Sequence, residues 1–445
     1  MPEVIRTLKK INSLDKLLVF TTFLVPIFLA ISIFVADLLA SLSGVILIYI
    51  FLTKKDLFFF KSIRNEIIFF FFFYLIIILS LLLSEFKTIS FLPSFFYFRY
   101  FLLSLSVFYL LKKYDSMINV LAFFVLVTIG IVLFDATFQY FTKYNIFGYE
   151  LIGISTIDPL IYLTSFFNEE KKLGSYIVRS LPLVLSILFF LKPKNLSYIS
   201  IVIFLYCGSI IYFASERTAL FLFLILTFFY FIVLNKKKFF LILFGIIILL
   251  ILNSSDRLKD KYFNYTAEQI QINNFLNQDY DQNKLVRFYS EEHENLAYTA
   301  IKLFKKKIFF GNGVKSFYHG CTKLINQVAN NDNLENFSNS KRNNKLICST
   351  HPHSTYLQIM SDVGIFGFLM IIFVFILSLI SNIKFLLKKK TIDHHGYSFY
   401  LINLSLILNL MPLIPSGNFF NNWLSLITYF SLGFWLFLKS DIKKK

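Results

Sequence analysis

About twelve apolar runs in the chain are long enough to cross a lipid bilayer, and this feature restricts the fold more than any other. A hydrocarbon core about 30 Å thick needs roughly 20 apolar residues in a helix. The runs cover residues 17–35, 38–53, 67–84, 92–111, 118–140, 175–191, 196–214, 217–234, 238–253, 362–383, 398–414 and 421–438. The sequence therefore predicts an all-α, polytopic membrane protein with about twelve transmembrane helices.

Charge and composition agree with this prediction. Charged residues make up 16% of the chain, whereas soluble domains have roughly 25%. Basic residues concentrate in both termini and in alternate connections, and the positive-inside rule predicts that these segments are cytoplasmic. They include Lys9, Lys54, Lys112, Lys192, Lys236, Lys388 and Lys443. The net charge of +18 is therefore mainly a topology signal, and nucleic-acid binding is the poorer interpretation.

The predicted topology divides the chain into three parts. Residues 1–253 form a membrane domain with spans 1–9, residues 254–353 form a loop domain on the outer side, and residues 354–445 carry spans 10–12. Within the loop domain, Leu296, Ala300 and Phe304 recur at helical spacing, which predicts a helix from Glu291 to Phe309. The Gly311-Asn312-Gly313 sequence predicts a turn after it.

Two cysteines of the predicted outer loop, Cys321 and Cys348, flank a polar insert. In an oxidising compartment they can form a disulfide that brings the chain back toward the next span. Two unpaired thiols remain an alternative. Metal binding is the weaker alternative because no close Cys-x-x-Cys pair is present.

Histidines mark the point where this loop enters the tenth span. His351 and His353 precede an apolar segment that contains Gly364 and Gly367. Histidine titrates near neutrality, so the pair indicates proton-transfer chemistry at a membrane surface. Eleven residues separate His353 from Gly364, about three helical turns, which predicts that they share one helix face. A simple helix start with packing glycines is the structural alternative.

Arg179 and Arg217 lie at the predicted outer ends of spans. Arg287 lies in the predicted outer loop, and Arg99 lies inside the fourth span. Guanidinium groups bind phosphate oxygens bidentately, so the set is typical of a site for a diphosphate. Snorkelling to the headgroups, with Glu216 as a partner of Arg217, is the alternative for Arg217. No Walker loop, dinucleotide fingerprint, serine nucleophile elbow or HExxH motif is present, which argues against nucleotide hydrolysis and proteolysis.

These residues resemble the motifs of the O-antigen ligase and polymerase superfamily of bacterial inner-membrane glycosyltransferases. His353-Ser354, nine residues, Gly364, two residues and Gly367 resemble its histidine-glycine motif. Weaker similarities lie at Ser215–Leu220, at Gly311–Phe317 and at Gly174–Pro182. Together these segments cover roughly the C-terminal 60% of the chain.

The resemblance implies a C-type glycosyltransferase-like fold and a metal-independent transfer without a cofactor. A glycan would move from an undecaprenyl diphosphate carrier to an acceptor hydroxyl at the periplasmic face, with both termini cytoplasmic. Residue by residue, it implies that His353 is the base and Arg217 a catalytic ligand of the diphosphate. Arg179 and Arg287 are further substrate-binding candidates, although the family spacing places the second arginine nearer to His293. His351 would orient His353 or only turn the chain.

The resemblance leaves three functions open. A ligase would transfer to the lipid A core, a polymerase to another carrier-linked unit, and the histidine-glycine spacing favours the ligase. Relatives that attach glycans to proteins are a third acceptor class. A lipid-linked sugar flippase or other transporter would place polar residues in the middle of several helices, whereas here they cluster at the outer ends.

Overall fold

The computed structural model describes residues 2–54, 57–152, 162–234, 236–252, 262, 265–269, 289–330, 345–387, 393–412 and 414–442. Within these ranges the chain is mainly helical and has no β-strand, which confirms the all-α prediction. The helices before the predicted loop domain are α1 (Pro2–Lys10), α2 (Ser13–Phe23), α3 (Val25–Ile31), α4 (Ile33–Lys54), α5 (Arg64–Leu83), α6 (Lys87–Phe95), α7 (Phe98–Lys113), α8 (Met117–Thr142), α9 (Leu173–Leu191), α10 (Leu196–Phe213), α11 (Arg217–Val233) and α12 (Lys236–Leu252). They are followed by α13 (Tyr265–Gln269), α14 (Glu291–Lys306), α15 (Phe317–Asn330), α16 (Thr355–Leu387), α17 (His394–Asn409) and α18 (Asn422–Ile442). Short 3-10 helices cover Leu57–Ile63 and Ser165–Phe167.

Many of these helices have the length and composition of membrane spans. Among the described residues, eight segments are long and apolar enough: Ser13–Ile31, Ile33–Thr53, Phe60–Leu83, Lys87–Lys113, Met117–Thr142, Leu173–Leu191, Leu196–Phe213 and Thr355–Leu387. The shorter helix α11 is also apolar. The remaining predicted spans coincide with α12, α17 and α18. The polytopic membrane fold is confirmed, and the number of twelve spans stays a prediction.

Helices α7, α9, α17 and α18 form the centre of the bundle. Helix α9 packs along α17, and α7 packs along α18. In the most apolar window of α9, 83% of residues are buried, compared with 22% for the segment that contains α5, so α9 is interior and α5 peripheral. A serine pair supports the contact between α9 and α17, because the Ser186 hydroxyl donates to the Ser398 carbonyl at 2.6 Å. Small polar residues of this kind let helix backbones approach closely.

The described part of the predicted loop domain has a small apolar core of its own. Helix α14 follows the cap residue Ser290 and ends at Lys306, so the predicted helix is present but three residues shorter. Its buried face packs with the following helix α15 through Leu296, Ala300, Leu303, Phe317 and Leu324. Helix α14 also packs against α16, which brings this segment to the membrane helix that follows the histidines.

The turn after α14 and the glycine motif of α16 fit into each other. Gly311 has φ +67° and Gly364 has φ +82°, both in the left-handed region that glycine tolerates. A Cβ on Gly364 would lie 2.6 Å from the Phe310 nitrogen, and one on Gly311 would lie 2.5 Å from the Val363 nitrogen. Backbone hydrogen bonds join the two segments; for example, the Ile365 nitrogen donates to the Ile308 carbonyl at 2.8 Å. The glycines therefore permit a backbone-to-backbone contact between the loop segment and the span.

This contact corrects the predicted register of His353 and Gly364. Helix α16 begins at Thr355, so His353 lies outside it. Gly364 has non-helical backbone angles and interrupts the helix. The eleven-residue separation therefore does not put the two residues on one helix face, and the role of Gly364 is to accept the close approach of Phe309 and Phe310.

Candidate active site

His353 lies in the short connection that leads into α16. Its backbone is in the left-handed region, with φ +50°, a conformation that costs a non-glycine residue about 1–2 kcal/mol. Its carbonyl accepts a hydrogen bond from the backbone nitrogen of Ser416 at 2.9 Å, which helps to hold this conformation. Neither ring nitrogen of His353 hydrogen-bonds to another residue that the structure describes. The imidazole is therefore fixed through its backbone and is free to bond a substrate.

Three histidines meet at this connection. The ring centroid of His353 lies 4.2 Å from that of His351 and 5.6 Å from that of His293, in the first turn of α14. The Ser290 hydroxyl is hydrogen-bonded to Nδ1 of His293 at 2.6 Å, and the Thr350 hydroxyl to Nδ1 of His351 at 3.0 Å. The structure thus brings together three of the residues singled out from the sequence.

Burial keeps these histidines in the neutral form. It lowers the pKa of His293, of His353 and of His351, the last to about 4. The neighbouring charge of His353 lowers the pKa of His293 and His351 further, and Glu292 partly offsets the effect on His293 and His353. A neutral imidazole can accept a proton, which is the property that a general base near pH 7 requires.

Arg217 begins α11 beside the histidine cluster. Its Nη1 donates to the Thr266 hydroxyl at 3.1 Å and to the Gln269 side-chain oxygen at 2.8 Å, both on α13. Its charge lowers the pKa of His293, after the larger effects of burial and His353, which places the guanidinium close to that ring. Arg287, the other loop candidate, lies outside the described residues. His293 is therefore the loop candidate that the structure brings to His353.

Glu216 has a role that the sequence does not reveal. Its carboxylate accepts hydrogen bonds from the backbone nitrogens of Gly174 and Ser175, at 2.6 and 3.0 Å, and from the Ser175 hydroxyl at 2.6 Å. These donors belong to the first turn of α9, where a helix N-terminus favours a negative charge. Burial raises the pKa of Glu216 to about 7, and the three hydrogen bonds and Arg179 act in the opposite direction. Glu216 thus joins the start of α11 to the start of α9.

Arg179 is a buried cation near Glu216, four residues after Ser175 on α9. It is 5% exposed, and its Nε and Nη1 atoms have no hydrogen-bond partner among the described residues. Leaving a buried donor unpaired costs about 1–3 kcal/mol, and more when the group is charged. Phosphate oxygens are acceptors that would satisfy such donors, so this geometry is compatible with an anion-binding role.

A separate charged group surrounds Arg99. Its Nε and Nη2 donate to the carboxylate of Asp37 at 2.9 and 3.2 Å, and Nη2 also donates to the Tyr100 hydroxyl at 2.7 Å. Lys315, in the Gly311–Phe317 segment, lies near this pair. Burial lowers the pKa of Lys315, and the charge of Arg99 lowers it further. Lys315 follows the turn at Gly311–Gly313, and its proximity to Arg99, on a helix distant in sequence, is an arrangement that the sequence pattern does not contain.

Cys321 on α15 and Cys348 are joined by a disulfide, with their Cα atoms 5.6 Å apart. Cys348 is three residues before His351, so the disulfide fixes the segment that leads into the histidine cluster. Cys207 is a buried free thiol. In the described part of the chain, no group of three or more His, Cys, Asp or Glu residues has the arrangement of a metal site.

Residues 201–372 match the family model described as O-Antigen ligase. This segment contains Arg217, the three histidines and both close-contact glycines. The match confirms the superfamily resemblance seen in the sequence. No curated protein matches the chain. The family and the apolar helices together indicate a multi-pass protein of the inner membrane with a glycosyltransferase-like activity.

Proposed function

Because the chain carries an O-antigen ligase domain, we propose that it transfers a glycan from an undecaprenyl diphosphate carrier to a hydroxyl of the lipid A core at the periplasmic face of the membrane. The observation that carries this proposal is the cluster of neutral His353 and His293 next to Arg217, with Arg179 close to Glu216, the residue before Arg217. It combines a proton acceptor with guanidinium groups, which are the two elements that the reaction needs.

In the proposed reaction, His353 accepts the proton of the acceptor hydroxyl as that oxygen attacks the first carbon of the donor sugar. The new glycosidic bond forms while the bond between this carbon and the diphosphate oxygen breaks. The electron pair leaves with undecaprenyl diphosphate, and Arg217 and Arg179 stabilise the developing negative charge. The proton remains on His353 until the leaving group or solvent removes it.

The residues around His353 support this assignment of roles. His351 lies against the His353 ring and has a pKa of about 4, so it stays neutral and can position the base without competing for its proton. His293 lies close to both His353 and Arg217, near the place where the family spacing expects a second basic residue. In this chain we propose that His293 contacts the donor as a neutral hydrogen-bond donor.

The experiment that tests the proposal is deletion of the gene in its own host, with complementation by wild type, His353→Ala or His319→Ala. His319 is a matched control because it lies on α15, and its ring contacts Phe86 and Tyr318. A ligase predicts long glycan on undecaprenyl diphosphate and bare core on a lipopolysaccharide gel, in the deletion strain and with His353→Ala. His319→Ala should restore the wild-type profile.

Other outcomes would replace the proposal. Single repeat units on the carrier, with core that bears one unit, would identify a polymerase. A wild-type profile in the deletion strain would exclude both enzymes. Purified protein that moves labelled carrier across a vesicle membrane without forming a glycosidic bond would identify a transporter.

A further inference from the structure

A large cavity lies inside the membrane region, away from the arginines of the candidate active site. It has a volume of about 630 Å³, within the range of ligand pockets, roughly 300–1,000 Å³. Helices α5, α16, α17 and α18 line it, mainly with apolar side chains such as Phe70, Phe73 and Leu424. Phe373 and Leu377, on its α16 wall, are 51% and 48% exposed. The cavity is therefore open sideways between the helices, where lipid chains would surround the protein.

One end of this cavity is joined to the charged group at Arg99 and Lys315. Tyr97 lines the cavity, and its ring centroid lies 5.4 Å from that of Tyr100. The Tyr100 hydroxyl accepts from Arg99 and donates to the side-chain oxygen of Asn422 at 2.9 Å. The cavity thus ends one aromatic ring away from this charged group.

Lys315 is the cation in that group that lacks a bonded partner. Asp37 engages Arg99 through two hydrogen bonds. The Lys315 backbone nitrogen donates to the Asp362 carboxylate at 3.0 Å, but its ammonium makes no hydrogen bond or ion pair with any residue that the structure describes. Its backbone is in the left-handed region, with φ +61°. A half-buried ammonium held in a constrained turn is complementary to an anionic headgroup.

The same end of the cavity is also linked to His353. The loop before α18 donates from Ser416 N to the His353 carbonyl and from Phe419 N to the Gln358 side-chain oxygen, at 2.9 and 2.8 Å. Phe419 lines the cavity. Three residues of chain span at most about 11 Å, so the cavity ends within that distance of the residue that holds His353. The Gln358 side-chain nitrogen also donates to the Asp362 carboxylate, and the same carboxylate accepts a hydrogen bond from the Lys315 backbone nitrogen.

We propose that this cavity binds an apolar chain of the lipid that carries the acceptor, with an anionic group of that lipid at Lys315. This inference rests on the proposed function and adds a second lipid site to it. The carrier diphosphate would meet Arg217 and Arg179 on one side of His353, and the acceptor lipid would enter between α5, α16 and α18 on the other. The histidine would then lie between two lipid-anchored substrates.

Two variant pairs test the proposal with the full-length protein in nanodiscs. Leu377→Trp fills the cavity, and Ile376→Trp is its matched control, since Ile376 is the preceding residue, is 46% exposed and does not line the cavity. Lys315→Asn removes the ammonium and keeps a residue that tolerates left-handed backbone. Its control is Lys323→Asn, which removes a half-exposed lysine of α15 that pairs with Glu85. All variants must elute as monodisperse protein before assay.

The measurement is the initial rate of transfer, with purified lipid A core varied at saturating donor and then donor varied at saturating core. We expect Leu377→Trp and Lys315→Asn to raise the acceptor KM about tenfold or more, with the donor KM within about twofold of wild type. Both controls should match wild type. Equal effects of Leu377→Trp and Ile376→Trp, or a rise confined to the donor KM, would overturn the inference.

Native mass spectrometry of the same nanodiscs separates this inference from the proposed function. Wild type should retain bound lipid A core, and Leu377→Trp should lose it. Retention without any transfer by wild type would refute the ligase proposal and leave the lipid site intact. Transfer by wild type with equal retention in both tryptophan variants would refute the lipid site alone.

Discussion

Replacing Gly364 by alanine should destabilise the protein by about 3–5 kcal/mol, because two separate costs arise at one position. The backbone there has φ +82° and ψ −169°, a region essentially restricted to glycine that costs an alanine about 1–3 kcal/mol. The new Cβ would lie 2.6 Å from the Phe310 nitrogen, with the Phe309 carbonyl closer still. Ordinary contacts begin at 3.4 Å, so the two backbones must separate by at least about 0.8 Å.

That separation would break hydrogen bonds as well. The Ile365 to Ile308 bond, now 2.8 Å, and the Gly313 to Asp362 bond, now 2.9 Å, would exceed the usual 3.2 Å limit. Each backbone hydrogen bond contributes about 1 kcal/mol net. Together with the conformational penalty, their loss gives the expected destabilisation.

The assay is the temperature at which half of the detergent-purified protein leaves the monodisperse peak after heating. Gly130→Ala is the matched control, because Gly130 also lies in a membrane helix and a Cβ there meets nothing within 4 Å. We expect Gly364→Ala to lower the midpoint by roughly 5 °C or more relative to Gly130→Ala. Midpoints within about one degree of each other would refute the reasoning from backbone contact.

Three further predictions concern the site. Glu216→Ala leaves three hydrogen-bond donors at the start of α9 without their acceptor and removes the counter-charge of Arg179, so kcat/KM for the glycan donor should fall about tenfold or more. Replacing the exposed Glu170 by alanine should change kcat/KM little, and equal effects of the two substitutions would contradict the role of Glu216. Burial lowers the pKa of His353 below its ordinary 6.5, so the base stays neutral at pH 7 and kcat/KM should fall only as the pH drops through a midpoint below 6.5. A fall of kcat/KM with a midpoint at or above pH 6.5 would contradict this. Replacing Cys321 and Cys348 by serine removes a link between residues 27 apart, which contributes about 3–4 kcal/mol by chain entropy, so trypsin should cut the predicted loop domain faster. An unchanged cleavage rate would show that the disulfide does not hold this segment.

The chain's local patterns predicted much of the fold. The apolar runs give the membrane helices, because a stretch that long is stable only in hydrocarbon or in a protein core. The amphipathic spacing from Glu291 gives α14, since burial of one helix face depends only on residues three and four apart. The histidine-glycine spacing gives the family resemblance, since it lies within one short stretch of the chain, residues 353–367.

Local patterns misplace His353 because they assume that a helix continues. Regular spacing to Gly364 predicts a shared face, whereas the helix starts after His353 and is interrupted at Gly364. The interruption comes from the backbone of Phe309 and Phe310, which are more than fifty residues away in sequence. A pattern within one segment cannot register a contact of that kind.

The sequence by itself therefore determined the class of protein, the membrane helices and the family resemblance, since each depends on composition or on neighbouring residues. Only the tertiary structure brought His293 to His353, attached Glu216 to the start of α9 and placed Lys315 near Arg99, beyond the end of an apolar cavity. These arrangements join residues of different helices. Their distances follow from how helices pack and from which backbones can touch, and no local rule of hydrophobicity or spacing contains that information.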